Sequence, residues 1–373
     1  MILVFESKNK GFLEIDESSF ENKIKDLVEN IQITPEFTIS YQNYEPLELL
    51  LELQGYLNQV SAIERNQYLS AKMQGYLYFI FGSELGAQIN ADLETIGDLE
   101  LQDESDLQPA ANYVKKWSRT KFYQQLTQNN KGQGYSDHEW CVTAQNGNDW
   151  QVIKNGLTLH IDPQKHLSEP QSALQLGQKV AIKMPSHLVD HGMYIAVGDA
   201  GLATAAASSR NAVITQLYFN VSAEGAVILL KHFTQKLNSI RIPFSFKVAY
   251  SEAAFDSPDA AVLEFQKCDF EQVNPIVQSI YQQSQAYFKE GILFFCKPLA
   301  SGCGLAEKPV SPKFEQENIG QHYAGAIAKL LIDTWQQKEL SCSDRLDIVL
   351  DSLSKIGINT NYLYLNPDST DVY

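Results

Sequence analysis

Residues 214–250, "ITQLYFNVSAEGAVILLKHFTQKLNSIRIPFSFKVAY", place a strand, a helix and a second strand in one run. Ser222 is a helix N-cap by residue type, with Glu224 in the first turn to meet the positive end of the helix. Val227, Leu230, Phe233, Thr234 and Leu237 then recur as one helical stripe, which reads as core. In the second strand Phe244, Phe246, Val248 and Tyr250 share one face, and Ser245, Lys247 and Ala249 share the other. Lys247 therefore leaves the strand among small residues. Two readings are open: an edge lysine pointing into water, or a cation on the floor of a pocket.

Outward from this unit the chain changes texture. After it come "AAVLEFQ", a helix over 271–288, the apolar run "ILFFCKPL" read as a strand, and a final helix over 320–339. Before it, "EWCVTAQ", "WQVIKNGLTLHI", "QKVAIKMP" and "MYIAVGDAG" read as strands, with hairpin turns at "NGND" (146–149) and "KNG" (154–156). The Gly/Asn-rich break "NNKGQGYS" (129–136) separates them from a first third of helical pattern. That third holds a strand at Ile2–Phe5, a helix from Ser19 to Asn30, and a helix starting at "EPLELLLELQGYLNQV" with Pro46 in its first turn. A run from Tyr68 to Ile80 and a helix over 110–127 complete it. The expectation is a mainly helical module over 1–128 and an α+β domain over 129–373 with a mixed or antiparallel sheet.

Composition narrows the function. The 373 residues include 44% hydrophobic side chains, enough for a packed core. No apolar run is long enough to span a bilayer, and the start is not a secretory signal. Five scattered cysteines without a CxxC pair support neither a disulfide framework nor a zinc site, which points to a reducing cytoplasm. His187 and His191 have the i, i+4 spacing of a metal pair, but Pro185 and Gly192 favour a loop there; no metal or other cofactor is expected. A net charge of −16 argues against nucleic acid and anionic membranes as partners. Residues 83–108 carry eight acidic residues and no Lys or Arg, as a solvated segment or a docking surface for a basic partner would.

The run from Tyr218 through "IPFSFKVAY", then "FDSPDAAVLEF" (255–265), "FFCKPLASGCGLAEKP" (294–309) and "IGQHYAGAIAKLL" (319–331), resembles the HopA-type effector-like family. "GYSDHEWCVTAQNGNDWQVIKNGLTLHIDP" and "GMYIAVGDAG" fit its pattern upstream, so the resemblance covers roughly residues 130–335. These are homologues of a plant-pathogen type III effector, many encoded beside genes for class V lanthipeptides and thioamitides. The resemblance implies a phosphoserine/phosphothreonine lyase that acts on a precursor peptide after a partner kinase. It leaves dehydroalanine or dehydrobutyrine and needs no cofactor.

Within that resemblance, Lys247 stands where distant phosphothreonine lyases carry their catalytic lysine, and Tyr218 about where they place a histidine. An elimination needs a base for the Cα proton, and a lysine serves only when neutral. Tyr218 is the candidate acid or phosphate donor. Candidate phosphate ligands are Lys297 before the "ASGCG" turn, His322 in the opening of the last helix, Lys183 and Arg210. Glu307 matches a family position without an assigned role. The sequence departs from the family at Tyr323 and Ser257, usually arginine, at Glu264, commonly tyrosine, and near Gln216, where a basic residue is usual. Arginine is the bidentate phosphate clamp, so its loss leaves open a second reading, a non-catalytic member that binds a peptide or a modifying enzyme.

Overall fold

A computed structural model describes residues 17–83, 120–147, 149–169, 174–190, 192–203, 213–310, 317–337 and 339–373. The strand expected at Ile2–Phe5, the acidic segment beyond Ser83 and the start of the helix expected over 110–127 lie outside the described residues.

The fold is α+β with antiparallel sheets. The run that opens the sequence analysis gives β9 (Ile214–Phe219), α6 (Ala223–Ser239) and β10 (Phe244–Ala249). Ser222 caps α6, its hydroxyl accepting from the Gly225 N–H at 3.1 Å. The two strands do not pair with each other. β11 (Ala261–Gln266) lies between them, antiparallel to both, so the unit is a split strand–helix–strand. The sheet continues outward through β13 (Cys303–Glu307) to β12 (Lys297–Ala300) beyond β9, and through β8 (Met193–Val197) to β7 (His187–Asp190) beyond β10.

One face of this seven-stranded sheet packs on α6 through Phe219, Phe233 and Phe246, with Phe233 centred 5.4 Å and 5.1 Å from the other two, and α7 (Phe270–Ser284) lies against α6. Each such ring contributes about 1.5–3 kcal/mol by burial. The other face is covered by α8 (Ile319–Trp335), which in turn lies against α3 (Ala62–Ser83). Gly320 and Gly325 let the two helices approach: a Cβ at Gly320 would stand 2.9 Å from the Tyr78 ring, and one at Gly325 3.0 Å from the Gln74 amide. A single core runs from Phe20 in α1 (Glu17–Asn30) to Tyr373.

A second, four-stranded sheet holds β3 (Tyr135–Asn146), β4 (Asp149–Lys154), β5 (Leu157–Ile161) and β6 (Lys179–Met184) in the order β5-β4-β3-β6, with its own small core around Trp140, Val152 and Ile182. Both expected hairpins form; Asn155 at φ 49 and Gly156 at φ 82 supply the turn between β4 and β5.

Several expectations need correction. Pro46 does not open a helix: Leu47 exchanges both backbone hydrogen bonds with Ile39, at 2.8 and 3.0 Å, and α2 is only Leu51–Leu57. The run "ILFFCKPL" is a strand only from Lys297; Phe294 and Phe295 sit in a turn and pack on Phe81. His187 lies in β7 rather than a loop, its ring stacked at 4.7 Å on Tyr194. His191 lies outside the described residues. The sequence reading also missed α9 (Cys342–Lys355), capped by Ser341 and Asp344.

Candidate functional site

Register alone assembles the site. Ser245 of β10 pairs with Glu264 of β11, which pairs with Gln216 of β9; one step along, Lys247, Val262 and Tyr218 form the next row. All these side chains share the face toward α8. Lys247 Nζ donates to Glu264 Oε1 at 2.7 Å, and Gln216 Nε2 reaches the same oxygen at 2.8 Å. Ser245 Oγ donates to Oε2 at 3.0 Å. The Tyr218 hydroxyl donates to Gln216 Oε1 at 2.6 Å, which turns the amide NH2 toward Glu264.

Electrostatics follow from burial and these neighbours. Burial pushes the Glu264 carboxyl up, but the charges of Lys247 and Lys308 and the hydrogen bonds from Lys247 and Gln216 outweigh it. The carboxyl is held below the usual range and is ionised at neutral pH. The Tyr218 phenol is pushed well above its ordinary value, first by burial and then by Cys296, Asp259 and Glu264, against the Ile319 N–H. Tyr218 is 1% exposed, so it is a fixed donor to Gln216 rather than a group facing solvent. The Lys247 side chain keeps 20% of its exposure and is the member of the group that reaches water.

The first turn of α8 closes the face. Asn318 caps it by accepting from the Gln321 N–H at 2.8 Å, and its amide donates to the Tyr78 hydroxyl at 2.7 Å and to Asp259 Oδ2 at 3.3 Å. The Tyr78 hydroxyl in turn donates to Asp259 Oδ2, and the Ser257 hydroxyl to Asp259 Oδ1. Helix α3 thereby contributes a phenol beside Tyr218, and Gln74 binds Glu317 and the Gln321 carbonyl. Ser257, a candidate clamp position by the resemblance, here positions Asp259.

The other candidates are dispersed. Lys297 is tied to the C-terminal tail, donating to Asp371 Oδ2 at 3.0 Å and to the Tyr373 carbonyl at 2.8 Å. His322 lies one turn into α8 with Nδ1 3.4 Å from Glu317 Oε2, near the site but engaged. Lys183 is exposed on β6 in the second sheet. Arg210 lies outside the described residues. Tyr323 is buried, edge-to-face against Phe295 and donating to the Leu365 carbonyl at 3.3 Å, away from the donors around Glu264. Glu307, fully buried, anchors the tail through Lys267, Ser369, Tyr373 and the Asn366 N–H.

Sequence reasoning missed Glu264 as the partner of Lys247, and it missed Lys308, Tyr78, Asp259 and Asn318. The signal for Lys308 was available: it stands two residues after Ala306 on the same side of the chain. Among the described residues no cluster of His, Cys, Asp and Glu suits a metal ion, and no helix is long and apolar enough to cross a membrane.

Residues 184–365 match the HopA1 effector protein family. Two solved structures align with the chain, both effector proteins of Pseudomonas syringae. That of pv. tomato strain DC3000 is 17% identical, with 79% of this chain and 98% of the other covered and a TM-score of 0.38. That of pv. syringae strain 61 is 12% identical, with 80% and 98% covered and a TM-score of 0.38. No curated protein matches the sequence.

Proposed function

Since residues 184–365 match the HopA1 effector protein family, we propose that the chain eliminates phosphate from phosphorylated Ser or Thr of a precursor peptide, following a partner kinase. The observation that carries this reading is the Lys247–Glu264 pair: a solvent-reaching lysine on a central strand whose counter-ion is a buried side chain 2.7 Å away. The pair can act as base and acid together. Proton transfer along that contact makes a neutral amine and a carboxylic acid, and a substrate covering the mouth favours this neutral form by desolvating both groups. Lys247 then removes the Cα proton. The C–H electrons form the Cα=Cβ bond, the Cβ–O bond breaks with its electrons leaving on phosphate, and Glu264 returns the proton to the departing phosphate. Lysine and carboxylate finish as they began.

Tyr218 is the positioning residue in this scheme, because it fixes the Gln216 amide rather than facing the substrate. A kinase partner implies ATP, so the reaction belongs in the cytoplasm. The test is a phosphopeptide incubated with the full chain: it loses the mass of phosphoric acid and gains an alkene, and Lys247→Ala abolishes this with the circular dichroism spectrum unchanged.

A second reading is a non-catalytic member that binds a peptide or the kinase. What favours it is that Lys297 and His322 are engaged elsewhere, and the donors around Glu264 are all in use. Wild-type protein that leaves every phosphopeptide intact while still binding precursor or kinase establishes this reading instead.

A further inference from the structure

From the donor set around Glu264 we infer that this carboxylate occupies the seat of a phosphate dianion and keeps it closed until a phosphorylated ligand displaces it. Three donors from two strands converge on one buried carboxylate: the Lys247 ammonium, the Gln216 amide and the Ser245 hydroxyl. None is a backbone group, so none of the three is committed to a ladder hydrogen bond. It is also preorganised, since Tyr218 holds Gln216 with its NH2 turned inward. Such an arrangement is an oxyanion site already filled from within.

The charge count selects the ligand class. Lys247 and Lys308 both act on Glu264, two cations around one monoanion. Without the carboxylate the seat carries two positive charges, which a phosphate dianion neutralises and a single carboxylate does not. Access runs along Lys247, the half-buried member of the set that reaches water. When Glu264 leaves, Gln216, Ser245 and Lys308 face the phosphate, and Lys247 is separated from its counter-ion beside the carbon that bears the leaving group. The inference rests on the proposed function only in taking the substrate's anion to be phosphate.

Calorimetric titration of inorganic phosphate into the full chain tests it. Glu264→Ala is expected to bind phosphate at least about tenfold more tightly than wild type, and to prefer it over formate. Adding Lys308→Gln to that variant is expected to reverse most of the gain. Equal phosphate affinity in wild type and Glu264→Ala overturns the inference, as does a variant that prefers formate. Should Glu264→Ala fail to fold without anion, Glu264→Gln keeps the volume and removes the charge; its phosphate affinity must still exceed that of wild type, and equality again overturns the inference. The titration breaks no bond. A phosphate gain in Glu264→Ala, together with no alkene formed from phosphopeptide by the wild-type chain, leaves the seat standing and removes only the lyase reading.

Discussion

Two Lys–Glu pairs lie on the same sheet, and they are built for different work. Lys247–Glu264 meets at 2.7 Å and Lys267–Glu307 at 2.8 Å. Glu307 is completely buried, and its oxygens take the Asn366 N–H, the Ser369 and Tyr373 hydroxyls and Lys267. All but the lysine belong to the tail after α9, so this carboxylate is a clasp that closes the chain over the sheet. Glu264 is bound only by side chains of its own sheet. Glu307 next to Ala306 points to the opposite face from the row of Glu264. The contrast teaches that an ion pair's role is set by where its remaining lone pairs go. Those bound to a backbone N–H and tail hydroxyls cannot be released without unfolding the tail, whereas those bound to rotatable side chains can be exchanged for a ligand's oxygens.

The largest effect expected from this comparison is on stability. Glu307→Ala removes the buried acceptor shared by Lys267, Ser369, Tyr373 and the Asn366 N–H and unfastens the tail, at a cost of about 3–5 kcal/mol. Glu264→Ala costs about 1–3 kcal/mol, because Lys247 can turn to water. Guanidinium unfolding of both variants checks the order, and equal losses would erase the distinction. A smaller effect isolates the preorganising residue. Tyr218→Phe removes the hydroxyl that orients Gln216 and costs about 1 kcal/mol. The same change should weaken phosphate binding in the Glu264→Ala background, whereas Thr215→Val, beside the other pair, should not.

How much of this was legible in the sequence differs between the two regions. Period-two alternation placed Ser245 and Lys247 on one face, and the same pattern separates Gln216 and Tyr218 from Leu217. That Lys247 meets Glu264 depends on β11 entering between β9 and β10, a pairing choice that no local period encodes. The clasp was less legible still. Lys297 meets Asp371 and Tyr373 across more than seventy residues, and "ILFFCKPL" has no alternation to tell a strand from a buried turn. Tyr78 escaped for a related reason: its run was read only as helical, and only the close approach allowed by Gly320 brings its hydroxyl to Asp259. Pro46 misled because its residue type suits a first helical turn, while Leu47 had a strand partner in Ile39.

The smallest effect, and the sharpest test of the Glu264 side, is on pH. The Glu264 carboxyl is held below the ordinary range, where an unfolded glutamate titrates at about 4.3, since its attraction to Lys247, Lys308 and Gln216 overcomes burial. As pH falls, the unfolded chain therefore takes up this proton before the folded one does. The stabilisation is fully present above the unfolded value and is lost as pH falls through the lower folded value. Glu264→Gln has no such proton, so the difference in unfolding free energy between wild type and this variant is expected to be constant from pH 7 to about 5 and to shrink below the unfolded value of about 4.3. Phosphate at a concentration that saturates Glu264→Ala should leave the wild-type curve nearly unchanged at neutral pH, where the carboxylate holds the seat. A difference that stays flat to pH 3 would mean that the Glu264 charge contributes nothing to the fold, and that its donors are held in place by the sheet alone.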